Sequence, residues 1–152
     1  MENESIKLKI LTLCKQSVQD KSEALQQQSK SLQNSLSSET KSSAGDKHET
    51  GRAMIQLERE QLGRQLAQLE QQSEILSRIN PDQPHKLISV GSLIFTSKEN
   101  YFISVAIGKL EVEGQTFYAI SNNSPTGKLL LMKSAGDTVE FNKTVFSIES
   151  VI

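Results

Sequence analysis

Tryptophan is absent, aromatics make up 5% of the residues, and 152 residues hold one cysteine and three prolines. Each shortage excludes something. A lone Cys14 cannot form an intrachain disulfide. It stands in helical spacing with Leu11 and Val18, as a small buried apolar residue would. Few aromatics and 36% hydrophobic residues leave a modest core, enough for one ordinary domain or two small ones. A net charge of -1 carries no global signature for nucleic acid or membrane. No stretch reaches the ~18 apolar residues of a membrane span. Met1–Lys9 is charged and has no signal-peptide apolar centre, so the expected compartment is the cytoplasm. Also missing are a Ser/His/Asp or Cys/His constellation, a glycine-rich phosphate loop and zinc-ligand spacing; the chain is not expected to be an enzyme in its own right.

Glycine and proline are absent from residues 5–36, which are rich in Gln, Lys, Ser, Glu and Leu. Leu11, Val18, Leu25 and Leu32 recur every seven residues there. Ile55, Leu62, Leu69 and Leu76 do the same further on. A seven-residue apolar repeat keeps one stripe of a helix against a partner helix. The two sets are mirror-symmetric about Ser43 and Ala44, pairing Leu32 with Ile55 and Leu25 with Leu62. A chain folded back on itself would give this pattern, so residues 1–80 read as an antiparallel coiled-coil hairpin with its tip near 39–52. The alternatives are two unrelated amphipathic helices or a parallel coiled-coil dimer. A Gln/Ser-rich piece, Gln26–Ser38, also admits a disordered linker. The lysines of the first helix, Lys7 among them, alternate with acids and read as a solvated face. A self-paired hairpin is expected to be monomeric.

Asn80-Pro81-Asp82-Gln83-Pro84 ends the second helix and opens a linker over 81–86. From 87 to 152 the period changes. Leu87–Thr96, Tyr101–Ile107, Leu110–Ser121, Gly136–Phe141 and Lys143–Val151 are rich in β-branched and aromatic residues. Turns are expected at Glu113-Gly114-Gln115 and Asn142-Lys143. Ser124 as cap with Pro125 at the first turn predicts one short helix to Met132. The fold class is therefore α+β: a helical hairpin, then a small, mostly antiparallel sheet with one helix. Phe95, Phe102, Val105, Phe117, Leu130, Val139, Phe146 and Ile148 are the expected core.

The chemistry concentrates in Ser42–Arg52. Asp46 and Glu49 stand three apart at a helix start, a spacing that puts both on one face. Two carboxylates beside solvent can hold a hard cation such as Mg²⁺ through oxygen, though Mg²⁺ needs further ligands. The same spacing makes a capping box, Asp46 capping and Glu49 reaching back, which also suits the helix dipole. His48 has neither a Cys nor a second His beside it and reads as a solvated polar residue.

These residues resemble the bacterial Gre transcript-cleavage factors of the GreA/GreB type. Gly45-Asp46-Lys47-His48-Glu49 looks like that family's Gly-Asp-x-x-Glu tip. Ser124-Pro125-Thr126-Gly127, followed by Gly136-Asp137, is similar to its Ser-Pro-x-Gly…Gly-Asp segment. The resemblance implies an FKBP-like C-terminal domain that docks at the rim of the RNA polymerase secondary channel, through the region of Asn123, Ser124, Pro125 and Gly127. It implies a hairpin that enters the channel and tip acids, Asp46 and Glu49, that share a catalytic Mg²⁺ with the polymerase. Gly45, Lys47, His48 and Arg52 would support the tip. The protein would then stimulate the polymerase's own cleavage of backtracked RNA, touching the nascent 3′ end only indirectly. Where the family usually has Asn and then an aromatic after the tip Glu, this chain has Thr50 and Gly51-Arg52-Ala53-Met54. A regulator that occupies the channel without stimulating cleavage, and a coiled-coil interaction protein unrelated to polymerase, are the other readings.

Overall fold

The computed structural model describes the backbone of residues 2–41 and 46–152 and the side chains of 6–37 and 50–152. Helix α1 runs Glu2–Lys41 and α2 runs Asp46–Ser77. After them come β1 (Leu93–Thr96), β2 (Asn100–Ser104), β3 (Gly108–Val112), β4 (Gln115–Ser121), α3 (Pro125–Leu130), β5 (Thr138–Phe141) and β6 (Thr144–Val151). The expected α+β class is what forms: a helical hairpin followed by a six-stranded, mostly antiparallel sheet with one short helix. The chain divides into two compact units, Val18–Ser73 and the combination of Met1–Ser17 with Glu74–Ile152.

In the Val18–Ser73 unit both helices lack internal proline, and their less exposed positions trace one stripe on each. On α1 the stripe is Val18, Ser22, Leu25, Ser29, Leu32 and Leu36; on α2 it includes Ile55, Arg59, Leu62, Leu66 and Leu69. Serines at two of these positions leave the seam loosely filled. One groove of about 520 Å³ lies among Gln28, Ser31, Leu32, Glu58, Gln61 and Leu62. A second of about 380 Å³ lies among Val18, Ser22, Gln26, Leu66 and Leu69. Leu32 and Leu62 line the same groove, whereas mirror symmetry pairs Leu32 with Ile55 and Leu25 with Leu62. Both grooves are lined from α1 and α2 together, so the two stripes face each other.

In the other unit the sheet order is β3-β4-β2-β1-β6-β5. All neighbours are antiparallel except β2 and β4, which run parallel with Phe102 beside Ala119. Two tight turns occur where expected. Glu113–Gly114 and Asn142–Lys143 all have positive φ, which matches two-residue type I′ hairpins. Both sheet faces are covered, which explains apolar runs such as Leu93-Ile94-Phe95 in place of strict alternation. On one face Ile94, Ile103, Val139, Phe146 and Ile148 pack with Ile88 of the preceding segment and Leu130 of α3. Phe102, Phe117 and Ser104 belong to the other face, toward the first turns of α1. There Ile6, Ile10, Leu11 and Cys14 are buried and the Cys14 thiol meets the Ser104 hydroxyl. Seven of the expected core residues are buried. The eighth, Phe95, is half-buried and lies edge-on to Phe117, ring centroids 5.9 Å apart.

Lys7 departs from expectation. It is not on a solvated face: it is completely buried, and its Nζ donates to the backbone oxygens of Gln83 at 3.1 Å and Ile152 at 3.0 Å. An ammonium can be buried only if its protons find acceptors. Here they tie α1 to the segment after α2 and to the end of β6.

Candidate functional site

The acids that carry the sequence argument open the second helix. Lys41 is the last residue of α1 and Asp46 the first of α2, so Asp46 and Glu49 occupy the first turn of the returning helix. Gly45 lies outside the described residues, and so do the side chains of Asp46, Lys47, His48 and Glu49. Arg52 is exposed one turn further on. Among the described residues no group of three or more His, Cys, Asp or Glu stands together to hold a metal ion.

The second group of expected site residues lies at α3. Ser124 is its cap, and the Ser124 hydroxyl accepts the Gly127 N–H at 3.0 Å while donating to the Ser121 carbonyl at 2.7 Å. Pro125 holds the first helical position, where its missing N–H costs nothing. Gly127 is buried, and a Cβ built there would stand 2.2 Å from the Ser121 oxygen. The Ser-Pro-x-Gly run thus has a complete structural cause: it seats a one-and-a-half-turn helix hard against the end of β4. Asn123 and Pro125 are exposed; Ser124 is half-buried.

Next to α3 is a feature the sequence pattern did not mark. Met132 donates its N–H to the Ile88 oxygen at 2.8 Å, and Ile88 donates to the Lys133 oxygen at 2.9 Å. Two residues thereby oppose one, a bulge in which the first position is left-handed and ordinarily glycine. Met132 fills it with φ of +68°. Its side chain is 68% exposed, and Leu87 and Leu129 beside it in the backbone are exposed as well. Lys86 and Lys128 are exposed neighbours of this apolar patch.

No family model matches the chain, and no curated protein does. Among solved structures, the transcription factor Gfh1 aligns with 91% of this chain and 92% of its own. The two are 19% identical, with a TM-score of 0.36. At that level, what this chain does must be read from its own residues.

Among the described residues, Cys14, His85 and Tyr101 are displaced from their usual values. Burial pushes the Cys14 thiol up to about 11, with the Ser104 hydroxyl pulling slightly the other way. At neutral pH the sulfur is therefore a protonated, unreactive thiol. Burial, and then the charge of Lys7, lower the pKa of His85. Burial, Glu99 and Tyr118 raise that of Tyr101. His85 is anchored through one nitrogen: Nδ1 lies 2.6 Å from the hydroxyl of fully buried Ser92 and 3.2 Å from that of Ser89. Nothing in the spacing of His85 and Ser92 announced this contact. Lys7 did carry a signal, since it falls four residues before Leu11 and seven before Cys14, on the buried stripe.

Proposed function

We propose that this protein is a Gre-like transcription factor that binds RNA polymerase at its secondary channel and stimulates cleavage of backtracked RNA. The observation that carries the reading is the placement of Asp46 and Glu49 in the first turn of α2, where a helical hairpin reverses. The part of α1 in the Val18–Ser73 unit, Val18 to Lys41, amounts to about 36 Å of helical rise, a length suited to a narrow channel. The docking surface in this reading is the α3 region. Asn123 and Pro125 face solvent there, next to the exposed apolar patch of Leu87, Leu129 and Met132. Exposed large apolar side chains offer a partner a contact surface. Met132 keeps its side chain there at a backbone angle better suited to glycine.

Asp46 and Glu49 would hold a divalent cation together with ligands from the polymerase. Such an ion polarises phosphoryl oxygens and lowers the pKa of bound water for phosphodiester hydrolysis. This chain would supply two carboxylates and their position, and the polymerase the rest. In the free protein the same residues can cap α2, and the two roles are compatible.

A second reading is favoured by the residues after Glu49. Thr50-Gly51-Arg52-Ala53-Met54 holds no aromatic and adds a cation near the acids. In that reading the hairpin occupies the channel and slows nucleotide addition without shortening RNA. One gel separates the two. A backtracked complex with Mg²⁺ and wild-type protein should yield shortened RNA, and the Asp46→Ala/Glu49→Ala variant should not. Slowed elongation without shortening selects the second reading. No effect on either returns the acids to helix capping and leaves the interaction-protein reading.

A further inference from the structure

We propose that the cavity between the end of α2, the segment after it and the β4–α3 loop binds a small carboxylate with an apolar body. The cavity measures about 360 Å³. That is the low end of ordinary ligand pockets, ~300–1,000 Å³, and it suits a molecule of benzoate size. All its walls belong to one compact unit. Ile75, Ile79 and Val90 supply apolar surface; Arg78, His85 and Asn122 supply polar groups. Ile75 is 39% exposed and Val90 37%, high for residues on a concave wall.

The polarity of His85 follows from its anchor. Two hydroxyls approach His85 Nδ1, Ser92 at 2.6 Å and Ser89 at 3.2 Å, and the arrangement in which Ser92 donates its proton there while accepting the Ser89 N–H at 2.9 Å uses its oxygen in both directions. Nδ1 is then the unprotonated nitrogen, and the neutral ring carries its proton on Nε2 as a donor. Among the described residues Nε2 meets no acceptor. Burial and the nearby Lys7 charge keep the ring neutral, so the donor persists at neutral pH. Arg78 gives one N–H to Glu74 and has others remaining. No carboxylate lines the cavity. Arg78 is already paired with Glu74, so its remaining N–H groups, the His85 Nε2–H and the Asn122 amide are the donors offered to an acceptor-bearing anion, and the isoleucines and Val90 favour an apolar body over free phosphate. Gly91 keeps one wall open. It has φ of +97°, and a Cβ there would lie 3.2 Å from the Ile79 side chain and 3.5 Å from His85 Cε1.

The test is a titration of the full chain with sodium benzoate at constant ionic strength, read by NMR at Gly91, the Asn122 side-chain amide and the His85 ring. Saturable shifts at all three, with Kd on the order of 1 mM, are expected. His85→Phe should weaken binding about tenfold, and Asn122→Ala should weaken it too. If His85→Phe does not fold, Asn122→Ala on the exposed loop decides. No saturation by about 50 mM overturns the site. Equal binding of benzamide overturns the carboxylate, and equal binding of inorganic phosphate overturns the apolar body. Unweakened binding by the folded variants places benzoate elsewhere and overturns the assignment.

Discussion

Lys7 is a buried charge that joins α1 to two distant segments. Its ammonium is removed from water and satisfied by carbonyls from two segments distant in sequence. Lys7→Ala deletes the donor, the packed stem and a partner of the Gln83 and Ile152 oxygens. A loss of about 3 kcal/mol in urea denaturation is expected. Lys7→Met keeps the stem and should cost less, about 1–2 kcal/mol, because only the hydrogen bonds are lost. His85 acts through pH. Its folded-state pKa lies below 6.5, so the unfolded chain takes up a proton first as pH falls. Stability is therefore full above about 6.5 and is lost as pH falls through the folded value. The melting temperatures of His85→Gln and wild type should keep a constant difference above neutrality, and below it the wild type should fall more steeply than the variant. Cys14 gives a kinetic readout. A fully buried thiol with a pKa of about 11 should react with iodoacetamide only when the protein is unfolded by denaturant.

At the scale of elements, two glycines in helices behave oppositely. Gly63 is exposed in the middle of α2, and a Cβ there meets nothing within 4 Å. Gly63→Ala should stabilise the helix by about 0.5–1 kcal/mol, seen as a higher urea midpoint for the helical signal. Gly127 has the Ser121 carbonyl where its Cβ would go. Gly127→Ala must push α3 off β4 and should cost about 3 kcal/mol by the same measurement. Local chemistry announced many of these elements. Ser124 and Pro125 mark the start of α3, Asn80-Pro81 follows the end of α2, and Glu113-Gly114 and Asn142-Lys143 make their turns, because each acts through bonds within a few residues. A seven-residue repeat specifies which face is buried but tolerates a slide of one turn, and Ser22 and Ser29 weaken the seam that would resist it.

For the whole molecule, the two units differ in how they are held. Among the described residues, Val18 and Leu62 are the only buried apolar side chains between 18 and 73. The other unit has both sheet faces covered and a fully buried row that includes Ile94, Phe102, Ile103 and Phe117. Opening free energy follows buried apolar contact. In hydrogen exchange, the helical amides between 18 and 73 should exchange on the order of a hundredfold faster than those of β2 and β4. Uniform protection would mean that the units unfold together.

The sequence alone determined the two long helices, the strand-rich second half, its turns and its capped helix. It also set the Asp46–Glu49 spacing on which the proposed function rests. These follow from periodicity and from residue types whose effects are local. Tertiary structure decided what depends on partners far along the chain. It buried Lys7 against Gln83 and Ile152, locked His85 onto Ser92, set β2 beside and parallel to β4 although β3 separates them in sequence, and exposed Met132 near Leu87. A lysine, a histidine or a methionine carries no mark of its distant neighbours. Whether it is solvated, anchored or presented depends on which surfaces close over it, and that is settled only when the sheet and helices pack.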